Sequence, residues 1–398
     1  MIKDLLLTNN NKIIFLILDG LGDIPNIEYD YMTPLEAAKK PNIDDISKKE
    51  GVLGRILPVD IGITPGSGPG HLSLFGYDPV KYEIGRGVLE VLGLNMDLQD
   101  GDLAARANFC TVKDGAVTDR RAGRIATSET ERLCEKLARE IPEVEGAEVL
   151  IRPGKSHRFA VMFRSKGLSD KLTDADPHKD NKPFKYATPK TSEAELASNV
   201  VNGFITRALD VIKDEKIANG VLLRGFSVKP DIPPFLVNYK LNALAIATYP
   251  MYRGIAKVLG MDVKEEPKDY NEMVQILKDN YNDYQFFFMH IKETDLAGED
   301  GNFPAKVNAI ENVDKIVPEI YKLNPQALII TGDHSTPCPM KGHSWHPVPL
   351  LILAKTGERD GMVFHEKNCV NGSIGTIYSK QLMSLALAYA FKLDKYGA

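Results

Sequence analysis

Three apolar runs set the rhythm of the chain: Ile13-Ile14-Phe15-Leu16-Ile17-Leu18, Tyr284-Gln285-Phe286-Phe287-Phe288-Met289-His290 and Ala327-Leu328-Ile329-Ile330-Thr331. None alternates apolar with polar positions along its length. Short continuous runs of this kind predict strands buried on both faces, as in a parallel sheet covered by helices. Val52 to Val59, Leu244 to Thr248 and Pro349 to Leu353 predict further strands. Helices are predicted from Tyr252 to Leu259, Ala305 to Leu323 and Gln381 to Phe391, and Thr33 with Glu36 three residues on is a capping-box start for another.

Between about Leu103 and Pro234 the texture changes. Arginine-containing segments lead to a strand over Phe159 to Phe163 and a polar, Pro-rich loop over Asp170 to Thr191. A helix over roughly Ser192 to Lys213 and a short strand, Val221 to Gly225, follow. The predicted fold is α/β, a mainly parallel sheet flanked by helices, interrupted by a smaller α+β insertion domain. The predicted division is 1–102 with 235–398 for the discontinuous catalytic domain and 103–234 for the insertion.

Composition narrows the function classes. A chain of 398 residues with 43% hydrophobic and 26% charged residues can bury a sizeable core. The net charge of −5 argues against a nucleic-acid partner. Cys110, Cys134, Cys338 and Cys369 lie far apart with no CxxC, so no disulfide framework is expected. The run from Ile13 to Leu18 is too short to span a bilayer and lacks a signal-peptide cleavage pattern, so a cytoplasmic protein with no membrane association is expected.

The candidate chemistry gathers where the apolar runs end. Asp19-Gly20 follows the first run, which suits either a turn cap or a ligand beyond a strand's carboxyl end. Asp295 and Glu299 follow the second, and Asp333-His334, with His343 nine residues on, follow the third. A mixed N/O ligand set suits Mn, Zn, Co or Mg. Thr64-Pro65-Gly66-Ser67-Gly68-Pro69-Gly70-His71 places a single serine among glycines and prolines, just ahead of a predicted helix. A serine at or near an N-cap faces free backbone N–H groups that favour an anion. Arg106, Arg120, Arg121, Arg124, Arg158, Arg224 and Arg253 stand out in an acidic chain, and guanidinium groups read phosphate and carboxylate bidentately. They point to a small anionic substrate.

These motifs together resemble the archaeal-type cofactor-independent (2,3-bisphosphoglycerate-independent) phosphoglycerate mutases of the alkaline phosphatase superfamily. The resemblance rests on Leu18-Asp19-Gly20-Leu21-Gly22-Asp23, the Ser67 loop, Arg106-Ala107-Asn108-Phe109 and Asp119-Arg120-Arg121-Ala122-Gly123-Arg124. His290-Ile291-Lys292, Thr331-Gly332-Asp333-His334 and Gly342-His343-Ser344 complete it, and it runs over essentially the whole chain. It implies an alkaline-phosphatase-like core split by an insertion domain that closes over substrate. It further implies conversion of 3-phosphoglycerate to 2-phosphoglycerate, a step of glycolysis and gluconeogenesis, through a phosphoserine at Ser67. Two divalent metals and no 2,3-bisphosphoglycerate would be needed. One metal would be held by Asp19, Ser67, Asp333 and His334, the other by Asp295, Glu299 and His343. Glu299 stands where the family usually has histidine, and His346 is an alternative ligand. Arg106, Arg120, Arg121, Arg124, His157, Arg158, Arg224, Arg253 and Lys292 would bind phosphoglycerate.

Overall fold

A computed structural model describes residues 2–397. It divides into two compact units, one formed by Met1–Glu83 with Ile232–Ala398 and the other by Ile84–Asp231.

The first unit is built on an eight-stranded sheet. Its strand order is Asp262–Val263, Ala243–Ala247, Phe286–Ile291, Ile13–Leu18, Ala327–Thr331, Val348–Ala354, Gly51–Leu57 and Gly375–Tyr378. The three apolar runs are adjacent and parallel: Ile17 pairs with His290 on one side and Thr331 on the other. All six residues of Ile13–Leu18 are buried, as expected for a central strand sandwiched between helices. Val348–Ala354 runs antiparallel to both of its neighbours, so the sheet is mainly, not wholly, parallel. Asp19, Lys292 and Asp333 therefore leave the sheet from one edge, within two residues of the ends of three neighbouring strands.

Thr33 does cap a helix, accepting from the Glu36 N–H at 3.1 Å. That helix is only Pro34–Ala37, and a second, Pro41–Glu50, restarts after Lys40. A residue that precedes proline is pushed out of the α region, which explains the break.

The second unit is a seven-stranded sheet ordered Glu143–Val144, Ala147–Pro153, Arg158–Arg164, Leu103–Lys113, Ala116–Asp119, Lys182–Pro183, with Gly220–Val228 also paired to Leu103–Lys113. Helices Thr127–Glu140 and Glu195–Val211 pack their apolar faces onto it, and Phe109 stacks on Phe159 in its core. This unit begins earlier than the change of texture suggested. The helix Arg86–Gly93 buries Val88 and Val91 and packs against Leu103–Lys113 and Gly220–Val228. Its Val88 N–H donates to Ser227 Oγ at 2.9 Å. The divisions thus fall at 83/84 and 231/232 rather than at 102/103 and 234/235, because one amphipathic helix precedes the first strand it covers. The segment read as an exposed polar loop over Asp170–Thr191 is also partly built in. Ala175 and Asp176 are buried, and Ala175 bridges Leu223.

Candidate functional site

In the first unit, buried carboxylates and imidazoles meet in two groups, Asp19 with Asp333 and His334, and Asp295 with His334 and His343. Asp19, Asp295, Asp333 and His334 are all fully buried. His334 Nε2 lies 3.3 Å from Asp19 Oδ1 and 3.2 Å from Asp333 Oδ2, and His343 Nε2 lies 3.5 Å from Asp295 Oδ1. Glu299 joins at the rim, 3.8 Å from His343 Nε2 and half exposed. His346 belongs to neither group; its Nδ1 meets Ser344 Oγ at 3.0 Å and its ring stacks on Trp345.

The tautomers are set from behind. His343 Nδ1 donates to the Pro65 carbonyl at 3.0 Å, and His334 Nδ1 meets Thr336 Oγ1 at 3.0 Å, whose hydroxyl donates to Asp295 Oδ1 at 2.6 Å. Both imidazoles thereby present an Nε2 lone pair to carboxylates, the orientation that metal-ligating histidines adopt. His334 Nε2 and Asp19 Oδ1 are buried with no hydrogen-bond partner. Buried polar atoms are rarely left unpaired, so this donor set fits divalent cations. Gly20 makes the fit possible: at φ +61 it passes so close to Asp295 and Thr336 that a Cβ would lie 2.8 Å from Asp295 Oδ1.

Ser67 opens the helix Ser67–Leu74, with Gly66 rather than Ser67 itself at the cap position. One turn on, His71 Nδ1 donates to the Ser67 carbonyl at 2.9 Å and lies 3.1 Å from Asp333 Oδ2. The Tyr252 hydroxyl donates to Asp19, and its ring stacks on His290. Lys292 Nζ bridges the two groups, 2.9 Å from Asp19 Oδ2 and 2.6 Å from Asp295 Oδ2. Burial alone would raise the Asp19 carboxyl, but His290, Lys292 and His334 facing it hold it well below the usual carboxylate range. Burial likewise opposes the Lys292 charge, yet Asp19 and Asp295 push its pKa above the ordinary lysine value. Tyr252, His71 and Thr336 were not singled out in the sequence. His71 was legible as the i+4 neighbour of Ser67 on a helix, whereas nothing local marks Tyr252.

Arg253, in the same unit, is buried, and its Nη1 donates to the Ala247 carbonyl at 3.1 Å. The other arginines belong to the second unit. Arg120, Arg121 and Arg124 line a cavity of about 620 Å³ with Thr118, Asp119 and Asp180. Asp119 shapes its floor by accepting from the N–H groups of Arg121 and Gly123 at 2.8 and 2.6 Å. Arg106 and Arg224 face one another across the strand pair Leu103–Lys113 and Gly220–Val228. Arg158 starts a strand beside Asn108. Burial first, then Arg158, Arg121, Arg124 and Arg106, push the His157 imidazole down to about 4.

His157 should therefore be neutral at pH 7. An unfolded histidine titrates near 6.5, so from about 6.5 down to about 4 the unfolded chain takes up a proton that the folded chain refuses. The His157 contribution to stability is in place above pH 6.5 and is lost as pH falls toward 4. NMR titration should give a midpoint near 4, moving upward when inorganic phosphate offsets the arginines. A midpoint near 6.5 without phosphate would contradict this account.

A mainly parallel α/β sheet thus gathers buried carboxylates and imidazoles at the ends of its strands, with a serine at a helix N-terminus linked to them through His71, a donor set suited to divalent cations beside a candidate nucleophile. Comparison with known proteins makes the assignment particular. Residues 49–218 match the family model described as 2,3-bisphosphoglycerate-independent phosphoglycerate mutase. A relative from Thermosipho africanus, described as a probable 2,3-bisphosphoglycerate-independent phosphoglycerate mutase, is 50% identical over 398 residues, covering 100% of this chain and 98% of its own. Among solved structures, a protein of Pyrococcus horikoshii matches with a TM-score of 0.82 and 29% identity, over 98% of this chain and 99% of its own. The cofactor-independent phosphoglycerate mutase of Thermoplasma acidophilum matches with a TM-score of 0.74 and 30% identity, over 96% of this chain and 100% of its own. The chain belongs to the 2,3-bisphosphoglycerate-independent phosphoglycerate mutase family. Among the described residues no helix is long and apolar enough to cross a membrane.

Proposed function

We propose that this protein interconverts 3-phosphoglycerate and 2-phosphoglycerate without 2,3-bisphosphoglycerate, with Ser67 as the residue that carries the phosphoryl group. The observation that carries the reading is His71, which bonds the Ser67 carbonyl and lies 3.1 Å from Asp333 Oδ2, and so ties the turn bearing the nucleophile to the buried carboxylate–imidazole groups.

Two divalent ions, one held by Asp19, Ser67, Asp333 and His334 and the other by Asp295, Glu299 and His343, would lower the pKa of a bound hydroxyl and offset charge on phosphoryl oxygens. The chain's own groups do the rest. The N-terminus of Ser67–Leu74 offers unpaired N–H groups to phosphoryl oxygens. Tyr252 holds the Asp19 carboxylate, and His71 links the Ser67 turn to Asp333. Ser67 accepts the phosphoryl group from one hydroxyl of the substrate, and the glycerate left behind is retained. Its other hydroxyl then takes the phosphoryl group back. Retention separates a mutase from a phosphatase, and the arginines of the second unit, together with His157, are suited to hold the glycerate carboxylate and the phosphate. Arg253 and Lys292 contribute from the first unit.

The test is an enolase-coupled assay run beside a phosphate-release assay on purified protein with metal. Formation of 2-phosphoglycerate with little free phosphate supports the reading, and phosphate release without 2-phosphoglycerate refutes it.

A further inference from the structure

Arg106 and Arg224 are register partners on antiparallel strands. Like charges directly opposite one another destabilise a sheet. Neither is fully neutralised: Arg106 Nε reaches Glu90 Oε2 only at 3.5 Å, and the Nε atoms of both arginines are buried with no hydrogen-bond partner. Such an arrangement needs something to hold it in shape before an anion arrives.

That element is Asp176. Its carboxylate is 1% exposed and meets two of the arginines. Oδ1 accepts from Arg120 Nε at 2.7 Å and Oδ2 from Arg120 Nη2 at 2.6 Å, a bidentate pair, while Arg224 Nη1 lies 3.8 Å from Oδ2. The His178 N–H also donates to Oδ1, at 2.8 Å. The loop that delivers Asp176 is pinned to the strand that carries Arg224. Ala175 N–H donates to the Leu223 carbonyl at 2.9 Å, and Gly225 N–H donates to Asp174 Oδ1 at 2.8 Å. One carboxylate therefore occupies one edge of Arg120 and lies beside Arg224, while the Nε donors of Arg106 and Arg224 stay free.

We propose that Asp176 is a positioning residue: it locks Arg120 and Arg224 in place so that the Arg106–Arg224 pair is preorganised for a phosphate or carboxylate group of the substrate. This rests on the reading that the second unit's arginines bind the anionic substrate. A fixed guanidinium loses less freedom when it binds, so preorganisation should appear in affinity more than in turnover. It also explains why a segment as polar as Asp170–Thr191 folds back onto the sheet.

Asp176→Asn keeps the side-chain shape and removes the charge that holds two guanidiniums. Loss of a charge-assisted pair of this kind corresponds to a weakening of about tenfold or more. The expected result is a KM for 3-phosphoglycerate raised about tenfold or more, with kcat changed by less than about threefold. Affinity for inorganic phosphate, measured by calorimetry on the full chain, should fall in parallel. Combining Asp176→Asn with Arg120→Gln should weaken binding no further than the poorer single variant, because both break the same pair. A folded Asp176→Asn protein with parental KM and phosphate affinity overturns the proposal. Should that variant fail to fold, Arg120→Lys keeps the charge but cannot make the bidentate pair, and the same rise in KM is expected; parental KM in it overturns the proposal equally. Phosphate binding is read without turnover. A parent that binds phosphate but forms no 2-phosphoglycerate, with binding weakened by Asp176→Asn, refutes the mutase reading and upholds Asp176.

Discussion

Ser67→Ala is expected to lower mutase turnover by at least about 10³-fold, the scale of loss when a covalent nucleophile is removed from a site whose other parts remain. The fold should survive. Gly66, not Ser67, sits at the cap of the helix Ser67–Leu74, and that helix gains no side-chain cap bond from the residue before it. Alanine is also a better helix former than serine. His71 bonds the Ser67 backbone carbonyl, which the substitution leaves in place, so Asp333 should keep its partner. Substrate affinity should fall much less than turnover. The check has three readings: the coupled assay, thermal unfolding, and mass spectrometry of acid-quenched protein for phosphorylation at Ser67. Parental turnover in the alanine variant would remove Ser67 from the chemistry.

The second large effect concerns metal. Asp19, Asp295 and Asp333 are buried carboxylates within reach of two imidazoles, and several of their oxygen and nitrogen atoms lack partners. Exhaustive chelation is expected to take turnover below detection, and Mn²⁺ or a similar ion should restore it. Stability should follow, since an ion at about 100 times its Kd adds about 2.7 kcal/mol, or roughly 5–10 °C in Tm for a unit of this size. Full activity with no metal by elemental analysis would sink the idea, as would a Tm indifferent to metal. Glu299→His offers a finer reading. If the rim carboxylate ligates, replacing it with imidazole should keep activity and shift preference toward softer ions such as Zn²⁺. Metal titrations of Glu299→His and Glu299→Ala that overlay the parent would show that Glu299 takes no part.

The sheet and the buried carboxylate–imidazole groups are legible in sequence because both depend on local pattern. Ile13–Leu18, Phe286–Ile291 and Ala327–Thr331 are continuous apolar runs, and their order of burial follows from composition alone. Asp19 and Asp333 could be found because strands point their successors to one edge. Tyr252 could not, because its significance comes from a helix packing that brings it to Asp19, more than 200 residues away. Asp176 was hidden differently. Its segment has loop composition, and only the long-range bridge between Ala175 and Leu223 turns it inward. The start of the second unit is hidden in the sequence because Arg86–Gly93 carries its apolar stripe before the sheet it covers has begun.

The first strand of the chain is central in its sheet yet has no early partner. Ile13–Leu18 pairs only with Phe286–Ile291 and Ala327–Thr331, about 270 to 310 residues downstream. At ribosomal speeds of about 5–20 residues per second, this fully apolar hexapeptide waits on the order of 15–60 s for a neighbour. The contiguous stretch Ile84–Asp231 is complete before either partner strand has been made. Synthesis therefore delivers the second unit's whole chain first, while the sheet that carries Asp19 and Asp333 must close a loop spanning most of the protein, the slow and aggregation-exposed class of pairing.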